Sequence, residues 1–103
     1  MTPAEVQAMV DAEIGDDWSL SNLHHVDLRT SVVRPPRPLT VVDASRDQKS
    51  DVWLVLEEHP GGLGYAVVYS EPDAAFGLVQ MAIGHDPCLF GIYGGFLDAF
   101  RAM

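Results

Sequence analysis

Apolar positions change period along this chain, and the change marks its elements. Val6, Met9, Val10 and Ile14 recur at helical spacing and form one stripe. Thr2-Pro3-Ala4-Glu5 precedes them as a helix start: Thr2 can cap free N–H groups, Pro3 fits the first helical position, and Glu5 can return a bond to the cap. Gly15 is the expected stop, after which Trp18 and Leu20 return the chain to the core.

Period two then takes over. Leu23 to Val33 reads as extended, with Val26, Leu28 and Thr30 on one side and His25, Asp27 and Arg29 on the other. Pro35, Pro36 and Pro38 interrupt it, because each removes a ladder donor, and the segment reads as a rigid link or a sheet edge. Leu39–Val42 restarts as a short strand, and Asp43 to Ser50 is a polar turn. Asp51 to Glu58 is the clearest strand, with Val52, Leu54 and Leu56 on one face and Trp53 and Val55 on the other, so both faces are expected to be covered. Pro60–Gly64 turns the chain into a hairpin with Tyr65–Ser70. Glu71-Pro72-Asp73 turns it again into a strand from Phe76 to Ile83. Residues 84–91 read as irregular, and Gly91 to Gly95 as a tight turn that sets a final amphipathic helix built on Phe96, Leu97, Ala99, Phe100 and Met103. The predicted fold is α+β: a single compact domain over residues 1–103, with an antiparallel sheet of about five strands, an N-terminal helix and a short C-terminal helix packed on it.

Composition narrows the function classes. The chain has 103 residues, 48% of them hydrophobic, and a net charge of -9. That apolar content argues against intrinsic disorder, and the charge opposes a general affinity for nucleic acid or anionic lipid. A single cysteine, Cys88, excludes an intrachain disulfide framework. No apolar run approaches the roughly 20 residues of a membrane span. The start, MTPAEVQAMV, carries Glu5 and no base, unlike a secretory leader, so a cytoplasmic location is expected.

The charge is unevenly laid out. Residues 1–28 hold six acids and no base; residues 29–49 hold Arg29, Arg34, Arg37, Arg46 and Lys49 against Asp43 and Asp47; residues 50–100 hold seven acids and no base. Two readings follow: compensation of this basic island by acids of the same chain, or an anion or partner site centred on Arg34 and Arg37.

Candidate chemistry is sparse. His85-Asp86-Pro87-Cys88 offers zinc-binding groups, with His59 as a distant fourth, but it lacks the separated ligand pairs of a structural site. Neither a metal nor another cofactor is expected. Cys88 with His85 would be the pair for nucleophilic catalysis, although no oxyanion hole or third orienting group can be identified. Glu57-Glu58-His59 reads as the polar end of a strand reaching solvent. Adjacent His24 and His25 point to opposite faces if their stretch is a strand. The glycines at 61, 62 and 64 lack the lysine of a phosphate loop. Trp53 reads as a core or rim residue, and Tyr65 and Tyr69 share one strand face that can line a cavity or meet a partner. The candidate binding residues are therefore Arg34, Arg37, Trp53, Tyr65 and Tyr69.

The expected function is that of a small acidic protein-binding or regulatory domain, whose field would steer a basic partner. The alternatives are small-ligand binding or, less favoured, catalysis through Cys88 and His85. A homodimer is also conceivable, pairing through an edge at Leu39–Val42 with Arg34 and Arg37 against the partner copy's acids.

Overall fold

A computed structural model of the chain describes residues 1–43, 47–60, 63–84 and 86–103. Helix α1 spans Pro3–Ile14. The Thr2 hydroxyl accepts the Glu5 N–H at 3.2 Å, and the Glu5 carboxylate accepts the Thr2 N–H at 3.0 Å. Val6, Val10 and Ile14 are buried along one face. Gly15 ends the helix at φ 62°, a backbone region open to glycine, and its N–H bonds the Asp11 carbonyl.

The next segment differs from its expected extended form. Leu28–Ser31 is a short helix, α2, capped by the Asp27 carboxylate, which accepts the Arg29 N–H at 2.9 Å. His25 sits at φ 56°, which breaks any strand through it. Val26 and Leu28 are buried as their pattern requires, but a local cap outcompetes the weak period-two signal.

Strand β1, Val32–Asp43, runs through the prolines rather than restarting after them. Pro35 and Pro36 are tolerated because the ladder to strand β2, Gln48–Glu57, lapses there, whereas Pro38 stands in it opposite Trp53. Pairing is made at Val32↔Leu56 and resumes at Arg37↔Leu54, so residues 33–36 pass over Val55 without strand partners in β2. The Arg34–Pro35 peptide is cis. Strand β3, Gly64–Ser70, forms the expected hairpin with β2, and β4, Ala75–Met81, continues the antiparallel meander.

Strand β5, Cys88–Gly94, occupies the stretch read from sequence as irregular chain and a tight turn. It pairs antiparallel with β4. The total of five strands therefore holds with a change of membership: one is lost before the prolines and one gained after residue 87. Helix α3, Phe96–Ala102, follows at once.

The meander closes into a barrel of strand order β1-β2-β3-β4-β5. Among the described residues closure rests on a single parallel pair, Val42↔Cys88, with the Val42 N–H donating to the Pro87 carbonyl at 2.8 Å. The expected free edge at Leu39–Val42 is thus paired to β2 along its length and also meets β5 at Val42.

Two hydrophobic clusters result. Val41, Val52, Leu54, Ala66, Val68 and Val79, joined by Leu89 of β5, draw on every strand and fill the barrel. Residues of the opposite face, including Val67, Tyr69, Phe76 and Leu78, pack with Val6, Val10 and Ile14 of α1 and Phe96, Ala99 and Phe100 of α3. β2 therefore has apolar cover on both sides. A register shift between Leu54↔Val68 and Leu56↔Val67 makes Val55 an extra residue. It places Leu56 on the helix side, not with Val52 and Leu54 as simple alternation predicts. Among the described residues no helix is long and apolar enough to cross a membrane.

Candidate partner-binding face

The basic island folds back onto acids of the same chain. The Arg34 guanidinium grips Asp11 of α1 with two nitrogens, at 2.8 and 3.4 Å, and lies 5.3 Å from the Trp18 ring centre. Arg37 donates to Glu57 at 3.0 Å. Lys49 reaches Asp86 at 3.1 Å. Exposed pairs of this kind contribute only about 0–1 kcal/mol each. The Arg37–Glu57 pair is anchored more firmly, because Glu57 is buried. Glu57 thus departs from the solvent-facing strand end expected of it.

The aromatic candidates separate. Tyr69 is 6% exposed and its ring lies 4.9 Å from Phe76, inside the helix-covered cluster. Trp53, opposite Tyr69 in the ladder, packs half-buried on the same cluster. Tyr65 packs partly on that cluster too, and it alone also reaches an outer group: its ring stands 5.6 Å from His24 and 5.5 Å from Phe90. The five candidates therefore do not form one site.

The largest apolar outlay on the barrel wall lies on β5. Phe90, Ile92 and Tyr93 are 56%, 38% and 43% exposed within one strand. Two irregularities produce this. Val79↔Leu89 and Leu78↔Gly91 leave Phe90 as an extra residue, and Gly77↔Ile92 and Phe76↔Gly94 leave Tyr93 as another. A bulged residue is released from the strict in-and-out alternation and can be aimed elsewhere. Gly77 permits the close approach of β4 to β5: a Cβ there would stand 2.7 Å from the Gly91 carbonyl oxygen and 2.9 Å from an Ile92 methyl.

Charged groups bound this face. At its N-terminal end, Glu58 bonds His24 Nδ1 at 2.6 Å and accepts the Tyr65 N–H at 3.0 Å, while its own N–H donates to the Tyr65 carbonyl. Burial disfavours the Glu58 charge, but the Tyr65 N–H, the His24 hydrogen bond and the nearby imidazoles outweigh it and hold this carboxyl below its ordinary range. His24 is brought there by Asn22, whose side-chain oxygen accepts the His24 and Val26 N–H groups and whose amide donates to the Phe100 carbonyl. At the C-terminal end, Glu13 of α1 accepts the Phe96 and Leu97 N–H groups at 2.7 and 3.1 Å, and Asp98 accepts the Gly95 N–H at 3.1 Å. These bonds satisfy free N–H groups at the start of α3 and place two exposed carboxylates just past Tyr93.

The alternative sites are small. Cys88 is half-buried beside a cleft of about 220 Å³ that it shares with Gln80, Met81 and Ala82. Its candidate partner His85 lies outside the described residues, as do Arg46, Gly61 and Gly62. A second cleft of about 190 Å³ lies among Trp18, Leu20, His25 and Arg29. Small-molecule sites commonly enclose about 300–1,000 Å³. Among the described residues no three His, Cys, Asp or Glu side chains converge as metal ligands.

Sequence reasoning missed Phe90, Tyr93, His24, Glu58, Glu13 and Asp98 as members of one face. The available signal was a run of large apolar residues, Leu89 to Tyr93, interrupted only by Gly91. Comparison with known protein families, with characterised proteins and with solved structures finds no match to this chain.

Proposed function

We propose that this chain is a protein-binding domain that takes a basic partner on the outward face of β5. The observation that carries the reading is the placement of Phe90 and Tyr93 at bulges, so that both stand exposed. Clustered exposed apolar residues mark interaction surfaces more often than scattered ones do, and amphipathic aromatics serve well as anchors. The charge supplies the partner's sign. Arg34, Arg37 and Lys49 are each engaged by an acid at home, so the excess that leaves the chain at -9 stays on the surface. Such a field speeds encounter with a cation and repels a second acidic protein. Neither of the two clefts described above reaches the size of a typical ligand site.

Selection of a displayed library of random ten-residue peptides against the whole chain tests the proposal. The enriched sequences are expected to combine Lys or Arg with apolar residues and to bind more weakly as salt is raised. The double variant Phe90→Ala, Tyr93→Ala, first shown to be folded by circular dichroism, is expected to lose about tenfold or more in affinity. No enrichment over an unrelated acidic protein, or peptides indifferent to that variant, overturns the proposal.

A further inference from the structure

The two edges of β5 are unlike. On one side β4 pairs with it from Gln80↔Cys88 to Phe76↔Gly94. On the other side β1 meets it at Val42↔Cys88 and ends one residue later, at Asp43. Among the described residues, the main chain from Leu89 to Gly94 therefore has a strand on one side only. Barrels ordinarily abolish edges by closing. Among the described residues, this one closes at Val42↔Cys88 and leaves most of its last strand beyond that pair. The uncovered edge belongs to the same strand that carries Phe90, Ile92 and Tyr93.

Resting on the protein-binding role proposed above, we infer that an extended, basic segment of a partner protein adds to the barrel as a further strand beside Leu89–Gly94. Its main chain meets N–H and C=O groups of β5 that have no strand partner on that side among the described residues, the means by which strand addition gains affinity. The six residues span at most ~20 Å of edge, two of them bulged from the β4 ladder. Side chains of the incoming strand alternate between the two sheet faces. Those on the side of Phe90 and Tyr65 pack on the two rings, which already touch. Basic residues at the end beside Gly94 reach Glu13 and Asp98, whose carboxylates lie 2.8 and 3.2 Å from where a Gly95 Cβ would stand. The same charge selects against a second copy of this chain, because each copy brings a net -9 to the contact.

The experiment uses the most enriched peptide from the library and a series of its singly N-methylated forms, titrated into the isotopically labelled full chain. Strand addition predicts that methylation weakens binding at least tenfold at alternate peptide positions and little at those between, since only alternate amides face the edge. It also predicts at least tenfold slower hydrogen exchange at amides within Leu89–Gly94 when the peptide is bound. A peptide that binds at Phe90 and Tyr93 with no alternating response to methylation overturns strand addition and leaves the protein-binding role standing. The absence of any enriched peptide overturns the role itself. A dimer in light scattering, with these amides protected before peptide is added, assigns the edge to a second copy and overturns the basic partner.

Discussion

The outer wall of this barrel has two apolar regions, and only one is covered. Over β2, β3 and β4, residues such as Val67, Tyr69, Phe76 and Leu78 lie under α1 and α3. On β5, Phe90, Ile92 and Tyr93 are of similar character and stand in the open. Hydrophobicity alone does not distinguish the two. Register does. Where β3 and β4 pair without interruption from Gly64↔Met81 to Ser70↔Ala75, alternate residues form a flat stripe on which helices can lie. Where β5 bulges twice, Phe90 and Tyr93 leave the alternation and stand exposed. The covered region contributes stability, and the open one is free to contribute binding.

The sharpest test of that contrast truncates one phenylalanine in each region. Phe100 is 1% exposed and stacks on Phe96 with centroids 6.2 Å apart. Phe100→Ala is expected to cost about 3–5 kcal/mol, since it removes buried surface and leaves a cavity between α3 and the sheet. Phe90→Ala removes a half-exposed ring, and its expected cost is about 1 kcal/mol or less. Denaturant unfolding of both variants measures the difference. Equal losses would show that β5 is core in solution and would remove the basis for reading it as a binding face.

A smaller effect is expected where α1 reaches across to the end of the open region. Helix α3 has seven residues, too few to be stable alone. Its first N–H groups are satisfied by Glu13, a residue 83 positions earlier in the chain. Glu13→Ala is expected to cost about 1–2 kcal/mol, the usual scale for a lost cap, and to speed hydrogen exchange at Phe96 and Leu97 before the rest of the molecule opens. If those two amides exchange no faster than in the parent, α3 is held by packing alone and the acidic end of β5 has no structural duty.

What was legible in the sequence follows the range of the interactions. The Thr2–Glu5 cap, the Gly15 stop and the β2–β3 hairpin depend on near neighbours, and each could be read from spacing. The Asp27 cap of α2 is equally local, but the alternation of Val26 and Leu28 disguised it as a strand. Among the described residues barrel closure rests on one pair 46 residues apart, Val42↔Cys88, for which no pattern exists. β5 was hidden because Gly91, Gly94 and two bulges erase period two. Of the candidate face only Tyr65 was foreseen. Its companions His24, Glu58 and Phe90 come from three separate segments and meet only after the barrel has formed.

The smallest expected effect lies at the other end of the open region and depends on pH. Glu58 is tied to both strands of the hairpin and to the loop that carries His24. Its folded-state pKa is depressed below the model-peptide value of 4.5. A depressed carboxylate contributes stability that is fully present above its unfolded pKa and is lost as pH falls through its folded pKa. The contribution is therefore expected to be intact at neutral pH and to disappear over the acid range below about 4.5. Glu58→Gln keeps the size of the side chain and removes the titration. The stability difference between parent and variant, measured by denaturant unfolding at successive pH values, should narrow in that acid window and stay constant above it. A difference that changes only outside that acid window would show that the Glu58 carboxyl is not the titrating group. A difference that never changes would leave the Glu58 charge without a part in holding Tyr65 against Phe90, and the open face would owe its order to the β4 ladder alone.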